Sequence, residues 1–182
     1  MTDRSKEALS VGIHVRVVSD TTKCLFLISE DSFVYRLINR VLRTGDPDFI
    51  YPYRYFINDL YAELLSVDRQ DCEDFDSLIV YRGQSITPIE LTYLQNYVGQ
   101  LLTLSSFTST TIDRDFALVF ASARENMTGV LFELHLNITL DNTRPFAYVG
   151  SYSVMPDELE VLISMGTIFE LISVTCHSNE SI

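Results

Sequence analysis

Two glutamates lie close together in the segment "PDELEVLI", residues 156–163, where Glu158 and Glu160 precede the apolar run Val161, Leu162 and Ile163. The apolar run predicts a buried strand. Because residues i and i+2 of a strand share a face, we expect both carboxylates to point the same way. Like charges held together beside apolar residues disfavour each other, so a pair kept in such a setting is a candidate catalytic site. The alternative is a pair of solvent-facing strand residues.

Two further polar segments carry groups suited to a polar ligand. Arg82 comes directly before Gly83, so that a rigid fork of donors adjoins a residue that lets a ligand approach the backbone. The segment "SSFTSTT", residues 105–111, interleaves hydroxyl groups with Phe107, and alternation would turn Ser109 and Thr111 to one face. Each segment has a structural alternative, an exposed strand-end arginine in the first case and a strand edge with a helix N-cap in the second.

The residues that precede these polar segments have helical periodicity. "FVYRLINRVLR", with Ser32 as a candidate cap, predicts a helix that ends at Gly45. "DPDFIYP" predicts a turn, and the apolar spacing from Tyr53 to Leu64 predicts a second amphipathic helix. We therefore expect a helical region at about residues 30–70.

The part of the chain at about residues 78–175 is expected to be rich in strands. "SLIVYRGQS" predicts a short strand ending at Gly83, and "LLTLSSFTSTT" has the composition of a strand. "GVLFELHLNITL" alternates between apolar and polar residues, and "EVLIS" and "TIFELISV" predict two more strands around a turn at Met165-Gly166. A capping box starting at Thr87 and a cap at Asp113 predict two intervening helices. The fold class is α+β, with helices followed by a mainly antiparallel β core.

Composition and charge indicate how many domains the chain forms and which kinds of partner it binds. A chain of 182 residues suits a single domain, which we expect to span residues 1–182. The formal net charge of −12 favours basic partner surfaces, so we expect neither nucleic acid nor a membrane as partner. The three cysteines form no C-x-x-C or Cys/His cluster, which argues against a metal site. No apolar run has transmembrane length, and the N-terminus lacks the apolar region of a signal peptide.

The order of the three polar segments resembles that of the R-S-E class of arginine-specific mono-ADP-ribosyltransferases. "YRGQ" is similar to the arginine motif, "FTSTT" to the F-x-S-T-S motif, and "ELEVLI" to the E-x-E motif. "VYRLINRVLRTGD", "YRYFINDL" and "GTIFELISV" also resemble segments of the family, so that the likeness extends from about Phe33 to Val174. One departure is Thr111, which replaces the last serine of S-T-S but retains a hydroxyl. The resemblance implies the ADP-ribosyltransferase fold, in which two packed, mainly antiparallel sheets form an NAD cleft and are preceded in the chain by a helical region.

The resemblance also implies a role for each motif residue. Glu160 takes the position of the invariant catalytic glutamate, and Glu158 that of the acceptor-binding glutamate, with Arg82 and Gly83 holding the cofactor. Ser109 would orient Glu160. Thr110 is a further expected cofactor contact that supports the same segment. Tyr152, in the loop "YVGSYSVMPD" before the glutamates, is a candidate contact for the target protein.

The implied reaction is transfer of ADP-ribose from NAD+, or alternatively NADP+, to an accessible arginine of a protein, with release of nicotinamide and no metal. NAD+ glycohydrolysis at the same site and a catalytically inactive NAD- or protein-binding module are the alternatives. The intact set of Arg82, Ser109, Glu158 and Glu160 favours an enzyme over the inactive module. We expect a monomer, and the sequence fits either a cytoplasmic or a secreted protein.

Overall fold

Helices make up the first part of the chain in this computed structural model, which describes residues 33–67, 77–122, 125–137, 144–149 and 159–175. They are α1 (Phe33–Thr44), α2 (Pro47–Ile50), a 3₁₀ turn (Tyr51–Tyr53) and α3 (Arg54–Val67). α1 ends as predicted at Gly45, whose φ of +65° suits glycine and whose N–H donates to the Leu42 carbonyl. The candidate cap Ser32 lies outside the described residues.

The segment "DPDFIYP" is helical, so the predicted turn is wrong. Asp46 accepts a hydrogen bond from the N–H of Asp48, and Pro47 occupies the first helical position. An N-cap acid followed by proline satisfies the rules for starting a helix as well as those for a turn. The chain therefore passes from α1 to α3 through two short helical turns.

Strands predominate in the second part, as expected. The elements are β1 (Ser77–Ile86), α4 (Pro88–Asn96), β2 (Leu101–Thr103), β3 (Thr108–Thr111), α5 (Arg114–Phe120), β4 (Thr128–Asn137), β5 (Phe146–Tyr148), β6 (Glu160–Ile163) and β7 (Ile168–Glu170). The Thr87 capping box begins α4, and the Asp113 carboxylate caps α5, so both sequence predictions are confirmed. None of the described helices is long and apolar enough to cross a bilayer.

Two strand boundaries differ from the prediction. β1 continues three residues beyond Gly83, because Gly83 and the residues up to Ile86 remain paired with β4. The segment "LLTLSSFTSTT" is not one strand but two, β2 and β3, which belong to different sheets. Leu104 to Phe107 connect them. A pattern of alternating side chains identifies extended chain but not the partner with which each part pairs.

The described strands form two antiparallel sheets. The larger has the order β4-β1-β3-β6-β5, and the smaller consists of β2 and β7. One row of directly opposed residues crosses the centre of the larger sheet, where Tyr81 of β1 pairs with Thr111 of β3, and Thr111 pairs with Glu160 of β6. Neighbouring strands lie about 4.8 Å apart, so this row spans about 10 Å.

The larger sheet is covered on both faces. α1 and α3 pack on one face around a core that includes Leu60, Phe107 and Leu162. On the other face, Val80 and Val161 pack with Phe169 of the smaller sheet. Helices, the five-stranded sheet and the two-stranded sheet are therefore stacked in that order, which confirms the predicted α+β architecture.

Candidate active site

Glu160 lies at the first position of β6 and is buried, with 4 % of its surface exposed. Its carbonyl accepts a hydrogen bond from the Val149 N–H at 2.9 Å, and Thr111 lies directly opposite on β3. All four residues of β6 are buried, so the strand holds the Glu160 carboxylate in a fixed position. A carboxylate in such a low-dielectric setting interacts strongly with any positive charge that develops beside it.

The two threonines of "STT" connect β3 to its surroundings. The Thr110 hydroxyl donates to the Val161 carbonyl at 2.7 Å, and the side chain is buried. The Thr111 hydroxyl accepts from the N–H of Asp113 at 3.0 Å, which fixes the turn between β3 and α5. Thr110 therefore uses its hydroxyl to hold β3 against β6.

Ser109 takes part in the site through its backbone. Its carbonyl accepts a hydrogen bond from Arg82 at 2.6 Å, and its N–H donates to the Tyr35 hydroxyl at 3.4 Å. Ser109 pairs with Leu162, and directly opposed residues share a face, so its side chain lies on the same face of the sheet as Glu160. Within the described ranges, both hydrogen bonds of Ser109 are backbone bonds, so neither joins its hydroxyl to Glu160.

Arg82 connects two strands that otherwise barely pair. β1 and β3 share one paired position in the described sheet, Tyr81 with Thr111. The Nη1 of Arg82 reaches across to the Ser109 carbonyl, and its Nε lies 3.3 Å from Oε1 of Gln84. These bonds engage two of the five guanidinium N–H groups, and within the described chain the other three are left for a ligand.

Gly83 is packed against α5. A Cβ built on Gly83 would lie 1.9 Å from the Ala117 carbonyl oxygen and 2.7 Å from the Ala121 nitrogen. Because these are backbone atoms of a helix and the turn that follows it, they cannot move aside cheaply. The glycine is therefore required by close packing of the helix on the strand, a reason that is independent of its expected contact with a ligand.

The residue directly before Glu160 is not part of the regular strand. β6 begins at Glu160, and Leu159 has a φ of +46°, in the left-handed region. The expectation that Glu158 and Glu160 share a strand face stays a prediction, because the first of these residues lies outside the part of the chain that the structure describes. Glu158 and the candidate target contact Tyr152 lie outside the described residues.

Two polar residues of α1 lie near the site but were not predicted from the sequence. Tyr35 contacts the Ser109 backbone, and Asn39 follows one turn later on the same helix face. Asn39 is 2 % exposed, and neither atom of its amide has a hydrogen-bond partner in the part of the chain that the structure describes. A buried amide without partners is costly, and it is the kind of group that a polar ligand satisfies. The sequence feature that could have identified this residue is an asparagine within the otherwise apolar stripe of the helix.

No cluster of three His, Cys, Asp or Glu side chains suited to a metal ion occurs in residues 33–67, 77–122, 125–137, 144–149 and 159–175. The polar groups of the site are thus carboxylate, guanidinium, hydroxyl, amide and backbone groups. This set can bind a nucleotide and stabilise a positive charge.

Comparison with known proteins identifies the class. A sequence model of the ADP-ribosyltransferase exoenzyme family matches residues 32–181. The chain belongs to this family, which confirms the family that the sequence predicts and makes it a mono-ADP-ribosyltransferase by family. Comparison with curated protein sequences finds no significant match.

Solved structures with the same fold include bacterial and eukaryotic ADP-ribosyltransferases. The Vibrio splendidus enzyme Vis, solved with agmatine, is 21 % identical, with a TM-score of 0.66 over 89 % of this chain and 71 % of its own. The Paenibacillus larvae toxin Plx2a is 18 % identical, with a TM-score of 0.62 over 90 % of this chain and 81 % of its own. The eukaryotic enzyme ART2.2, solved as a mutant with NAD, is 17 % identical, with a TM-score of 0.59 over 87 % and 60 % of the two chains.

Proposed function

We propose that this protein transfers ADP-ribose from NAD+ to arginine side chains of target proteins and releases nicotinamide. The observation that carries the proposal is the buried carboxylate of Glu160, held in the central row of the sheet beside the strands that Arg82 bridges. Family membership supports the reaction class, and the NAD complex of ART2.2 and the agmatine complex of Vis support the choice of co-substrate and acceptor.

Glu160 acts on the ribose of the nicotinamide nucleoside. Nicotinamide leaves as a neutral molecule, so the reaction needs no general acid, but the ribose acquires positive charge as the glycosidic bond breaks. The Glu160 carboxylate stabilises this oxocarbenium-like state by its charge and by accepting a hydrogen bond from the 2′-hydroxyl. Loss of a preorganised group of this kind costs roughly 3–4 kcal/mol in the activation barrier.

Arg82 and its neighbours bind the rest of NAD+. The three remaining guanidinium N–H groups of Arg82 suit the pyrophosphate or the adjacent ribose, and the Gly83 backbone suits the nicotinamide amide. The Asn39 amide is an additional candidate contact, because burial without partners makes it receptive to a polar ligand. Thr110 supports the strand through its bond to Val161, and Ser109 remains the candidate that orients Glu160 when NAD+ is bound.

Glu158 aligns the acceptor. An arginine guanidinium is always protonated in water and is a poor nucleophile, with a pKa above about 12. A carboxylate can align it through paired hydrogen bonds and accept a proton as its nitrogen attacks the ribose carbon. The two glutamates thus have separate roles, and in enzymes of this class glutamate rather than glutamine at the first position accompanies arginine as the target.

The test compares four proteins in one assay with labelled NAD+ and agmatine, scoring nicotinamide release and ADP-ribosyl-agmatine separately. Glu160→Gln is expected to abolish both products, whereas Glu158→Gln suppresses transfer and retains some NAD+ hydrolysis. The matched control is Glu170→Gln, the same substitution at an exposed position of β7, which should behave as wild type. Wild-type release of nicotinamide without transfer would instead identify an NAD+ glycohydrolase, and equal activity in all four proteins would remove the assignment.

A further inference from the structure

The helix α4 carries a row of exposed apolar side chains. None of its nine described residues is buried, although Leu91 and Leu94 are half-buried. Ile89 is 82 % exposed and Tyr93 is 54 % exposed. Together with Tyr97 they recur at intervals of four residues, so they lie along one side of the helix and of the turn that follows it. Single exposed apolar residues are ordinary, but a contiguous row of them is typical of an interaction site.

The exposed apolar surface continues from α4 onto the smaller sheet. The Gly99 N–H donates to the Leu171 carbonyl at 2.7 Å, which joins the turn after α4 to the residues that follow β7. Leu101 and Ile172, each within two residues of this hydrogen bond, are exposed. A shallow depression of about 400 Å³ on α4 is lined by Pro88, Ile89, Thr92, Tyr93 and Asn96. We call the exposed side chains of this region the α4 surface, which comprises Ile89, Tyr93, Asn96, Tyr97, Leu101 and Ile172.

Elsewhere in the chain, a pair of tyrosines with the same four-residue spacing binds a guanidinium group. The pair is Tyr51 and Tyr55, and the guanidinium carbon of Arg54 lies 3.9 Å from the centre of the first ring and 4.1 Å from that of the second. The face of an aromatic ring carries negative potential, so a cation above it is attracted. Tyrosines at this spacing therefore provide a site for a guanidinium in this protein.

Tyr93 and Tyr97 on the α4 surface form a second pair with this spacing. Their rings stack on each other, with centroids 4.1 Å apart. Arg54 lies three residues after the first tyrosine of its pair, and the equivalent position in the second pair is the uncharged Asn96. Among the described residues, each guanidinium that lies over a tyrosine ring does so at other tyrosines. The second pair therefore has ring faces available to a cation from another molecule.

The charge around the α4 surface favours a basic partner. Residues 83–113 and 159–175 contain no lysine or arginine, and Glu90 lies in the first turn of α4. Hydrogen bonds from the backbone and the hydroxyl of Thr87 lower the pKa of Glu90, so its carboxylate is ionised at neutral pH. A second copy of this chain, with its net charge of −12, is repelled, whereas a segment that contains arginine is attracted.

The α4 surface is separate from Glu160. β1 runs from Tyr81, in the row of the sheet that contains Glu160, to Ile86, which directly precedes the cap of α4. These five residues of strand span about 17 Å. A molecule bound only to the α4 surface therefore does not touch Glu160. A target protein is large enough to contact both places, and agmatine is not.

We propose that the α4 surface binds the target protein of the transfer reaction through a basic segment, with a guanidinium packed against the rings of Tyr93 and Tyr97. The inference rests on the proposed function and specifies the chemistry of the partner, a segment in which arginine lies beside apolar residues. Binding at α4 raises the effective concentration of the target at Glu160. It therefore assists transfer to proteins and peptides but not transfer to agmatine.

Two substitutions remove this site in different ways. Tyr93→Ala deletes one ring and introduces a residue that favours helix. Asn96→Arg places a guanidinium of the chain itself where Arg54 lies in the first pair, so that it occupies the rings and repels a basic segment. Asn96→Gln, which adds length without charge, is the matched control for the second substitution. Phe49→Ala, at an exposed aromatic residue outside the α4 surface, is the control for the first.

The experiment uses a synthetic peptide in which arginines alternate with leucines. Binding of the labelled peptide is measured by fluorescence anisotropy without NAD+, and kcat/KM for ADP-ribose transfer is measured with the peptide and with agmatine. Tyr93→Ala and Asn96→Arg should each weaken peptide binding and lower kcat/KM for the peptide roughly tenfold, as loss of one interface anchor does. Their transfer to agmatine should equal that of wild type. Both controls should behave as wild type with either acceptor, and thermal unfolding verifies that each variant is folded.

Unchanged binding of the peptide to folded Tyr93→Ala and Asn96→Arg overturns the inference. Equal losses of transfer to the peptide and to agmatine also overturn it, because the substitutions then act on catalysis. A dimer in sedimentation that Tyr93→Ala dissociates would identify a second copy as the occupant instead. A wild-type protein that modifies neither acceptor, but whose peptide binding falls in both variants, would refute the proposed function and leave the binding surface supported.

Discussion

Replacement of Arg82 by methionine tests whether this residue has both a structural and a ligand-binding role. The substitution keeps an unbranched side chain but removes the bond from Nη1 to the Ser109 carbonyl, which at 2.6 Å is short and charge-assisted. It also removes the bond to Gln84, which at 3.3 Å lies beyond the usual range and should contribute little. β1 and β3 then retain the paired position of Tyr81 and Thr111.

The expected decrease in the free energy of unfolding of Arg82→Met follows from these contacts. A hydrogen bond from a charged donor contributes about 1.5–3 kcal/mol, and because Arg82 is only half-buried we expect a loss near the lower end, about 1.5 kcal/mol. For a protein of this size each kcal/mol lowers Tm by about 2–4 °C, so Arg82→Met should unfold roughly 3–6 °C below wild type. Arg43→Met, at an exposed position in the last turn of α1, is the matched control and should unfold near wild type.

The assay is thermal unfolding with and without NAD+. A ligand at a hundred times its Kd stabilises the folded state by about 2.7 kcal/mol, so NAD+ should raise the Tm of wild type and of Arg43→Met measurably. Arg82→Met should lose most of this rise. An unchanged Tm without NAD+ would refute the strand-bridging argument, and an undiminished rise with NAD+ would refute the ligand-binding argument.

Three further substitutions test packing, buried hydrogen bonding and charge. Gly83→Ala should lower the free energy of unfolding by about 3 kcal/mol, because the added methyl group collides with the backbone of α5; chemical denaturation measures the loss. Thr110→Val removes a buried hydroxyl from the Val161 carbonyl and should cost about 1–3 kcal/mol by the same measurement. Hydrogen bonds from the Thr87 backbone and hydroxyl lower the pKa of Glu90, so ionised Glu90 stabilises the fold. The resulting difference in free energy of unfolding between wild type and Glu90→Gln should be fully present at neutral pH. It should disappear as the pH falls below 4.5.

Each of these has a control and an outcome that would contradict it. Gly45→Ala places a methyl group in open space at a φ of +65°, so it should cost only about 1–2 kcal/mol, and an equal loss at Gly83 would contradict the collision argument. Thr92→Val removes an exposed hydroxyl bond to Pro88 and should matter less than Thr110→Val. A constant difference between wild type and Glu90→Gln from pH 7 to pH 3 would argue against the role of charge.

The sequence was sufficient for features that depend on local chemistry. The capping box at Thr87, the cap at Asp113 and the helix end at Gly45 follow from short-range hydrogen bonds and from the φ that glycine permits. The apolar strand at Val161 also follows from its composition. These patterns arise within a few residues, so a single sequence contains them.

Features that depend on tertiary pairing were not predictable. Nothing within "LLTLSSFTSTT" indicates that its two ends join different sheets, and nothing beside Gly83 reveals that α5 packs on it. The contact from Tyr35 to Ser109 joins residues 74 positions apart. The left-handed Leu159 is the clearest case, because leucine favours other conformations and only the strands that fix its neighbours impose this one.

The position of β6 between two other strands also determines how the protein should lose activity when heated. All four of its residues are buried and both of its edges are paired, so its amides should exchange with deuterium only through unfolding of the whole sheet. The carboxylate of Glu160, to which we assign the catalytic role, is therefore expected to stay in place until the sheet unfolds. Thermal inactivation of NAD+ cleavage should therefore coincide with global unfolding rather than precede it.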